Sequence, residues 1–169
     1  MSYEIKNKVA ESSLVTIDFD DFINHKKVIF FDLKMWLKDE LVLIEKDFRD
    51  KVNNHEWNNY NDHLVLIQCS NNAIIPHWAY LLISSKLKAN GIKNFIGTEE
   101  DYNNYNIINS INNIDLNEFK EKSVIVKGCS NYANKNYYYS LIIDKIQNEV
   151  KSIMFGEACS SVPIFKRKK

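Results

Sequence analysis

The sequence predicts an α/β protein built on a mostly parallel sheet with helices on both faces, a doubly wound arrangement. Three observations lead to this. Apolar runs of strand length alternate with amphipathic stretches of ten residues or more, the pattern of β-α-β units. Most of the runs are apolar without alternation, as in strands buried on both faces of a parallel sheet. The chain of 169 residues, 45% hydrophobic and 26% charged, is long enough to bury one core without disulfides. A single domain over residues 1–169 is therefore expected, with a strand order that local pattern does not determine.

Taken in order, residues 14–19 read as a short strand and residues 27–33 (KVIFFDL) as a buried one, rich in β-branched and aromatic residues. The period then changes. Leu37, Leu41, Ile44, Phe48 and Val52 recur at helical spacing, which predicts an amphipathic helix over residues 34–54. Residues 63–69 (HLVLIQC) form the next expected strand. A helix over residues 77–89 follows, opened by Pro76 and closed by Asn90-Gly91. A short strand is expected at 93–97, a helix at 99–114, a strand at 123–128, a helix at 135–150 and a last strand at 151–155.

Charge narrows the function classes. Lys+Arg and Asp+Glu both count 22, so the formal net charge is zero and no overall field attracts nucleic acid or an anionic membrane. The terminal Lys166-Arg167-Lys168-Lys169 reads as a solvated tail. The first residues carry charges where a signal peptide needs an apolar stretch, and no apolar run reaches the length of a membrane span. A cytoplasmic location follows, and in that reducing compartment the three cysteines are expected as thiols.

Those thiols are the strongest candidate site. Cys69, Cys129 and Cys159 are each followed by serine and each come after an apolar strand. In an open parallel sheet ligands bind outside the carboxyl ends of the strands, so the pattern predicts three sulfur atoms at one edge. Four readings fit. Cysteine is a small buried residue and serine opens a turn or cap. Three thiolates can hold an iron–sulfur cluster. The three thiolates with His77 make a Cys3His zinc set, although the spacing from Cys69 to His77 is not the usual short one. A thiolate at a helix N-terminus can instead carry persulfide or redox chemistry. Lys127 and Glu157 are the nearest groups able to tune charge at such a site.

Other candidates carry less chemistry. Asp32, Glu40 and the run Glu45 to Arg49 read as a cap and i,i+4 pairs. His25, His55 and His63 occupy loop-like contexts without the partners of a nucleophilic triad. The four glycines, Gly91, Gly97, Gly128 and Gly156, form no phosphate loop. Trp78, Tyr80 and Tyr137 to Tyr139 read as core aromatics on helices, or as the interface of a non-catalytic scaffold protein.

Four segments, 36–49 (WLKDELVLIEKDFR), 69–80 (CSNNAIIPHWAY), 126–129 (VKGC) and 156–167 (GEACSSVPIFKR), together resemble a bacterial family known as domain of unknown function 2480. The likeness extends over nearly the whole chain. It carries no established activity, but relatives encoded near sulfur-mobilisation genes imply a role beside the proteins of iron–sulfur assembly. On that resemblance Cys69, Cys129 and Cys159 match motif positions, whereas His77 falls at a variable one, which weighs against the zinc set.

Overall fold

The computed structural model describes residues 14–23, 27–128, 132, 134–157 and 159–168. Along the chain come β1 (Leu14–Ile17), β2 (Val28–Asp32), α1 (Glu45–Asn54), β3 (Leu64–Gln68), α2 (His77–Ala89), β4 (Lys93–Ile96), α3 (Glu99–Asn112), β5 (Ser123–Val126), α4 (Lys135–Ile146), β6 (Ser152–Glu157) and β7 (Ser160–Lys166). The class is mixed α/β and four of the five strand pairings are parallel. The strands fall into two sheets, ordered β1-β5-β6-β7 and β2-β3-β4. Each belongs to its own compact unit: residues 24–103 form one, and residues 1–23 with 104–169 form the other.

In the unit of residues 24–103, β3 lies between β2 and β4, both parallel to it. Its Leu64, Val65, Leu66 and Ile67 are all buried, which is why this strand shows no alternation in the sequence. Val65 and Ile67 pack with Phe48 and Val52 of α1 and with Ala79, Ile83 and Leu87 of α2. Ile83 and Leu87 are completely buried, and truncating either to alanine costs about 2–5 kcal/mol. Helix α2 ends in a Schellman motif. The Ile92 amide bonds the Leu87 carbonyl and the Gly91 amide the Lys88 carbonyl, at 3.0 Å each, with Gly91 at φ +75.

The expected helix over 34–54 begins only at Glu45. Residues Leu33–Trp36 form a 3-10 turn capped by Asp32, and Lys38 then bridges to Val42 around Asp39 and Glu40, at φ 50 and 59. Two successive left-handed residues make a tight type I′ reversal and cannot continue a helix. The apolar period from Leu37 to Ile44 is therefore real but does not mark one face: Leu41 is exposed while Leu37 is buried.

The second unit packs α3 and α4 on its sheet. Ile107 and Ile111 of α3 and Tyr138, Ile142 and Ile146 of α4 bury against Val124, Val126 and Ile153. Strand β7, which the sequence reading left unassigned, pairs antiparallel with β6 as the sheet's edge. Its register slips between Ile153 and Met154, opposite Pro163; an edge strand with a bulge is where a proline without an N–H donor is tolerated. Among the described residues no helix is long and apolar enough to cross a membrane.

Candidate functional site

At the carboxyl edge of the three-stranded sheet, β2 ends at Asp32, β3 delivers Cys69, and β4 turns at Gly97 into Thr98. Asp32 ties two of these ends together. Its Oδ1 accepts the Lys34 amide at 3.0 Å and the Ser70 amide at 3.1 Å. Burial opposes its ionisation, but the Ser70 hydroxyl, these two amides and the Lys34 charge together hold its carboxyl below the usual carboxylate range.

Cys69 is half-buried and carries a free thiol. Its S–H donates to Asn71 Oδ1 at 3.0 Å, and the same oxygen accepts the Ala73 amide at 3.2 Å. The Asn71 amide group donates in turn to the Glu40 carbonyl, and the Glu40 carboxylate pairs with Lys34 at 2.9 Å. The left-handed turn at Asp39-Glu40 thus has a local use, since it brings one carbonyl to the loop that carries the thiol. The Glu40 hydrogen bond and charge hold Lys34 protonated above its ordinary range, with lesser help from Asp32 and Cys69.

The thiol opens on a cleft of about 430 Å³ lined by Ile67, Cys69, His77, Tyr80, Leu81 and Thr98, among others. Pro76 starts α2 without any capping side chain, so His77 stands exposed in the first turn beside Cys69's loop. Tyr80, one turn further, is half-buried. Burial pushes its phenol up, reinforced by the neighbouring Cys69 and Asp32. Thr98 and Asp101 cap α3 reciprocally: Asp101 Oδ2 accepts the Thr98 amide and hydroxyl at 2.9 and 2.7 Å, and Thr98 Oγ1 accepts the Asp101 amide at 3.2 Å.

In the other unit, β5 and β6 run parallel with Val126 opposite Phe155, so the chain leaves both at one edge. Lys127 follows β5 and its Nζ meets Asp18 Oδ2 at 2.8 Å. That hydrogen bond holds the Asp18 carboxyl below its usual range against the effect of burial and raises Lys127, to which Glu157 adds a smaller field. Glu157 ends β6, and Cys159 is an exposed free thiol in the turn to β7. The one sheet edge expected for the three sulfur atoms is not found, because Cys69 follows β3 of the three-stranded sheet and Cys159 follows β6 of the four-stranded one. Cys129 lies outside the described residues, as does His25. A family model described as "Protein of unknown function (DUF2480)" matches residues 3–167. The chain belongs to that family. DUF2480 therefore spans both units, the cleft and all three cysteines. No curated protein and no solved structure matches the chain.

Among the described residues, no three His, Cys, Asp or Glu side chains gather as a metal-holding group. The i,i+4 pair is present, Arg49 bonding Glu45 at 2.8 Å. His55 lies in the connection after α1, as expected, and packs among Phe31, Trp36, Trp57 and Tyr60, with ring centroids between 4.7 and 5.8 Å from its own. Tyr138 is fully buried while Tyr137 is exposed. Sequence reasoning missed Tyr80 and Thr98 as lining the cleft and Asn71 as the partner of the Cys69 thiol. For Tyr80 a signal existed, three residues after His77 on the same helical face. For Asn71 there was none, because its role depends on the Glu40 turn.

Proposed function

We propose that this DUF2480 protein is a cytoplasmic accessory factor of iron–sulfur or sulfur metabolism that acts through Cys69, Cys129 and Cys159. The observation that carries the reading is the Cys69 thiol at the mouth of a cleft on the carboxyl edge of a parallel sheet, where α/β folds bind ligands. The DUF2480 membership supports it by matching the segments around all three cysteines. Thiolates are the donors that iron–sulfur clusters take, and the reading makes Cys69, Cys129 and Cys159 the ligands, with Lys127 and Glu157 as the charged groups next to Cys129 and Cys159 in the sequence. Such a cluster, when bound, supplies electron transfer or is itself the cargo passed to partner proteins of sulfur mobilisation. Helices on both faces of each sheet belong to the same reading. The burial of Leu64 and Leu66 as well as Val65 and Ile67 on β3 supports it.

Two other readings each have an observation in favour. His77 lines the same cleft as Cys69, as a Cys3His zinc site requires. The Cys69 thiol is satisfied by Asn71, as a structural cysteine in a scaffold protein would be. Protein produced and purified without oxygen separates these readings, and a cluster from a persulfide. The cluster reading expects iron and acid-labile sulfide, both lost when any one cysteine becomes serine. A persulfide expects extra sulfur mass depending mainly on a single cysteine. Zinc expects metal lost in His77→Ala as well. Colourless protein without iron, zinc or added sulfur mass leaves the scaffold reading and refutes the proposal.

A further inference from the structure

The opposite, amino edge of the three-stranded sheet holds a larger open cavity, of about 540 Å³, lined by Lys27, Asn61, Asp62, His63, Gly91 and Lys93 among others. We propose that this cavity is an anion site that takes the phosphoryl group of a phosphorylated small molecule.

The sheet register builds the charge. Val28, Leu64 and Lys93 stand side by side on β2, β3 and β4, and the Leu64 amide bonds the Lys27 carbonyl at 3.0 Å. Neighbouring strands lie about 4.8 Å apart, so Lys27 and Lys93 flank the cavity from its two sides with His63 between them. Among the described residues neither lysine is ion-paired; the pairs that form involve Lys34, Arg49, Lys127 and Arg167. Two strongly hydrated ammonium groups without a carboxylate partner suit a phosphate, which lysine binds as a point charge.

His63 adds a directed group. Its Nδ1 lies 2.7 Å from the Asn61 carbonyl, and a carbonyl can only accept, so Nδ1 carries the proton and Nε2 is left for a ligand. Neutral Nε2 accepts from a protonated phosphate oxygen, and protonated Nε2 donates to a fully ionised one. The charged groups around His63 are Lys27 just before β2, Lys93 from β4 and Asp62 on its own loop, the last a carboxylate that limits the positive field. The nearby end of α2 does not cancel that field. Its Leu87 and Lys88 carbonyls are already bonded by the Ile92 and Gly91 amides, which satisfies the helix's negative end. A side chain at Gly91 would meet nothing within 4 Å, so the wall there is open to a ligand body. The cavity exceeds what a bare phosphate fills and falls in the range of about 300–1,000 Å³ typical of small-molecule sites. This site stands apart from Cys69, at the other end of the same strands, and does not depend on the sulfur reading.

The test is a titration of the full chain with inorganic phosphate, followed by its amide resonances. Saturable shifts are expected around His63, Gly91 and Lys93. Lys27→Ala and Lys93→Ala should each weaken binding about tenfold, the loss of one charge-assisted bond. Lys46→Ala, on the exposed surface of α1, should leave it unchanged. His63→Ala should also weaken phosphate binding, by loss of the Nε2 contact. Absence of saturable shifts, or equal weakening by Lys46→Ala, overturns the proposal; undiminished binding by His63→Ala overturns the role of His63.

Discussion

Replacing Gly156 by alanine tests the β6–β7 turn that carries Cys159, and the structure gives the size of the effect. Gly156 sits at φ +118, and a Cβ built there lies 2.6 Å from the Ser160 carbonyl oxygen. The dihedral is outside the left-handed well that other residues visit, at about 1–3 kcal/mol. The contact is with backbone, so relief requires the turn itself to move, at a further cost of about 1–3 kcal/mol. A destabilisation of about 2–6 kcal/mol is expected. Gly91→Ala is the internal comparison. At φ +75 it also needs a left-handed residue, but nothing lies within 4 Å of the new methyl, which leaves a penalty of about 1–2 kcal/mol partly offset by a stiffer unfolded chain. Amide hydrogen exchange reads each unit separately, using Ile153 and Val124 for Gly156→Ala and Val65 and Ile67 for Gly91→Ala. If Gly156→Ala lowered protection in its unit no more than Gly91→Ala does in the other, the steric reasoning would be wrong.

The remaining predictions concern the site and its charges. Asn71→Ala removes the acceptor of the Cys69 thiol and a bond to the Glu40 carbonyl; it should accelerate alkylation of Cys69 and destabilise the unit by about 1–3 kcal/mol in urea titration. Cys69→Ser keeps a donor for Asn71 and should leave the fold unchanged by the same measurement. Asp18 titrates below its ordinary value when folded, so its stabilisation is complete above about pH 4 and is lost as pH falls through the lowered folded value; Lys127→Met should flatten that acid limb in pH-dependent melts. Burial lowers His55, so the unfolded chain binds its proton first. Stability should therefore fall as pH drops below about 6.5, and His55→Gln should remove that part of the slope.

Local signals carried the elements whose ends are marked by backbone chemistry. Helix α2 runs from His77 to Ala89 as predicted, because Pro76 suits only a first turn and Asn90-Gly91 only an exit. The position of Cys69 beyond β3 was legible for the same reason: a strand buried on both faces has an unambiguous end. Residues 34–44 misled because helical spacing of leucines says nothing about φ, and Asp39 and Glu40 adopt left-handed values that neither residue type advertises as glycine does. Strand β7 escaped notice because Pro163 reads as a breaker unless its partner is known. The bonds that shape the cleft, Asp32 to Ser70 and Asn71 to Glu40, cross between segments more than thirty residues apart. They depend on the β2–β3 register, which no local pattern encodes.

The pairing of β1 with β5 fixes an order of events during synthesis. Leu14 finds its partner only when Ser123 has left the ribosome, and the whole of residues 24–103 emerges in between. That inserted unit is continuous, so its three strands and two packing helices can close as soon as β4 appears. Strand β1 waits unpaired, and closing so long a loop is slower than any pairing inside the insert. Chains stalled after residue 103 and treated briefly with protease should already protect the insert while β1 is still cut; equal protection of both would refute this order. A substitution that slows the insert then prolongs the time the apolar strand Leu14–Ile17 spends exposed, so the yield of the outer unit responds to changes in residues it does not contain.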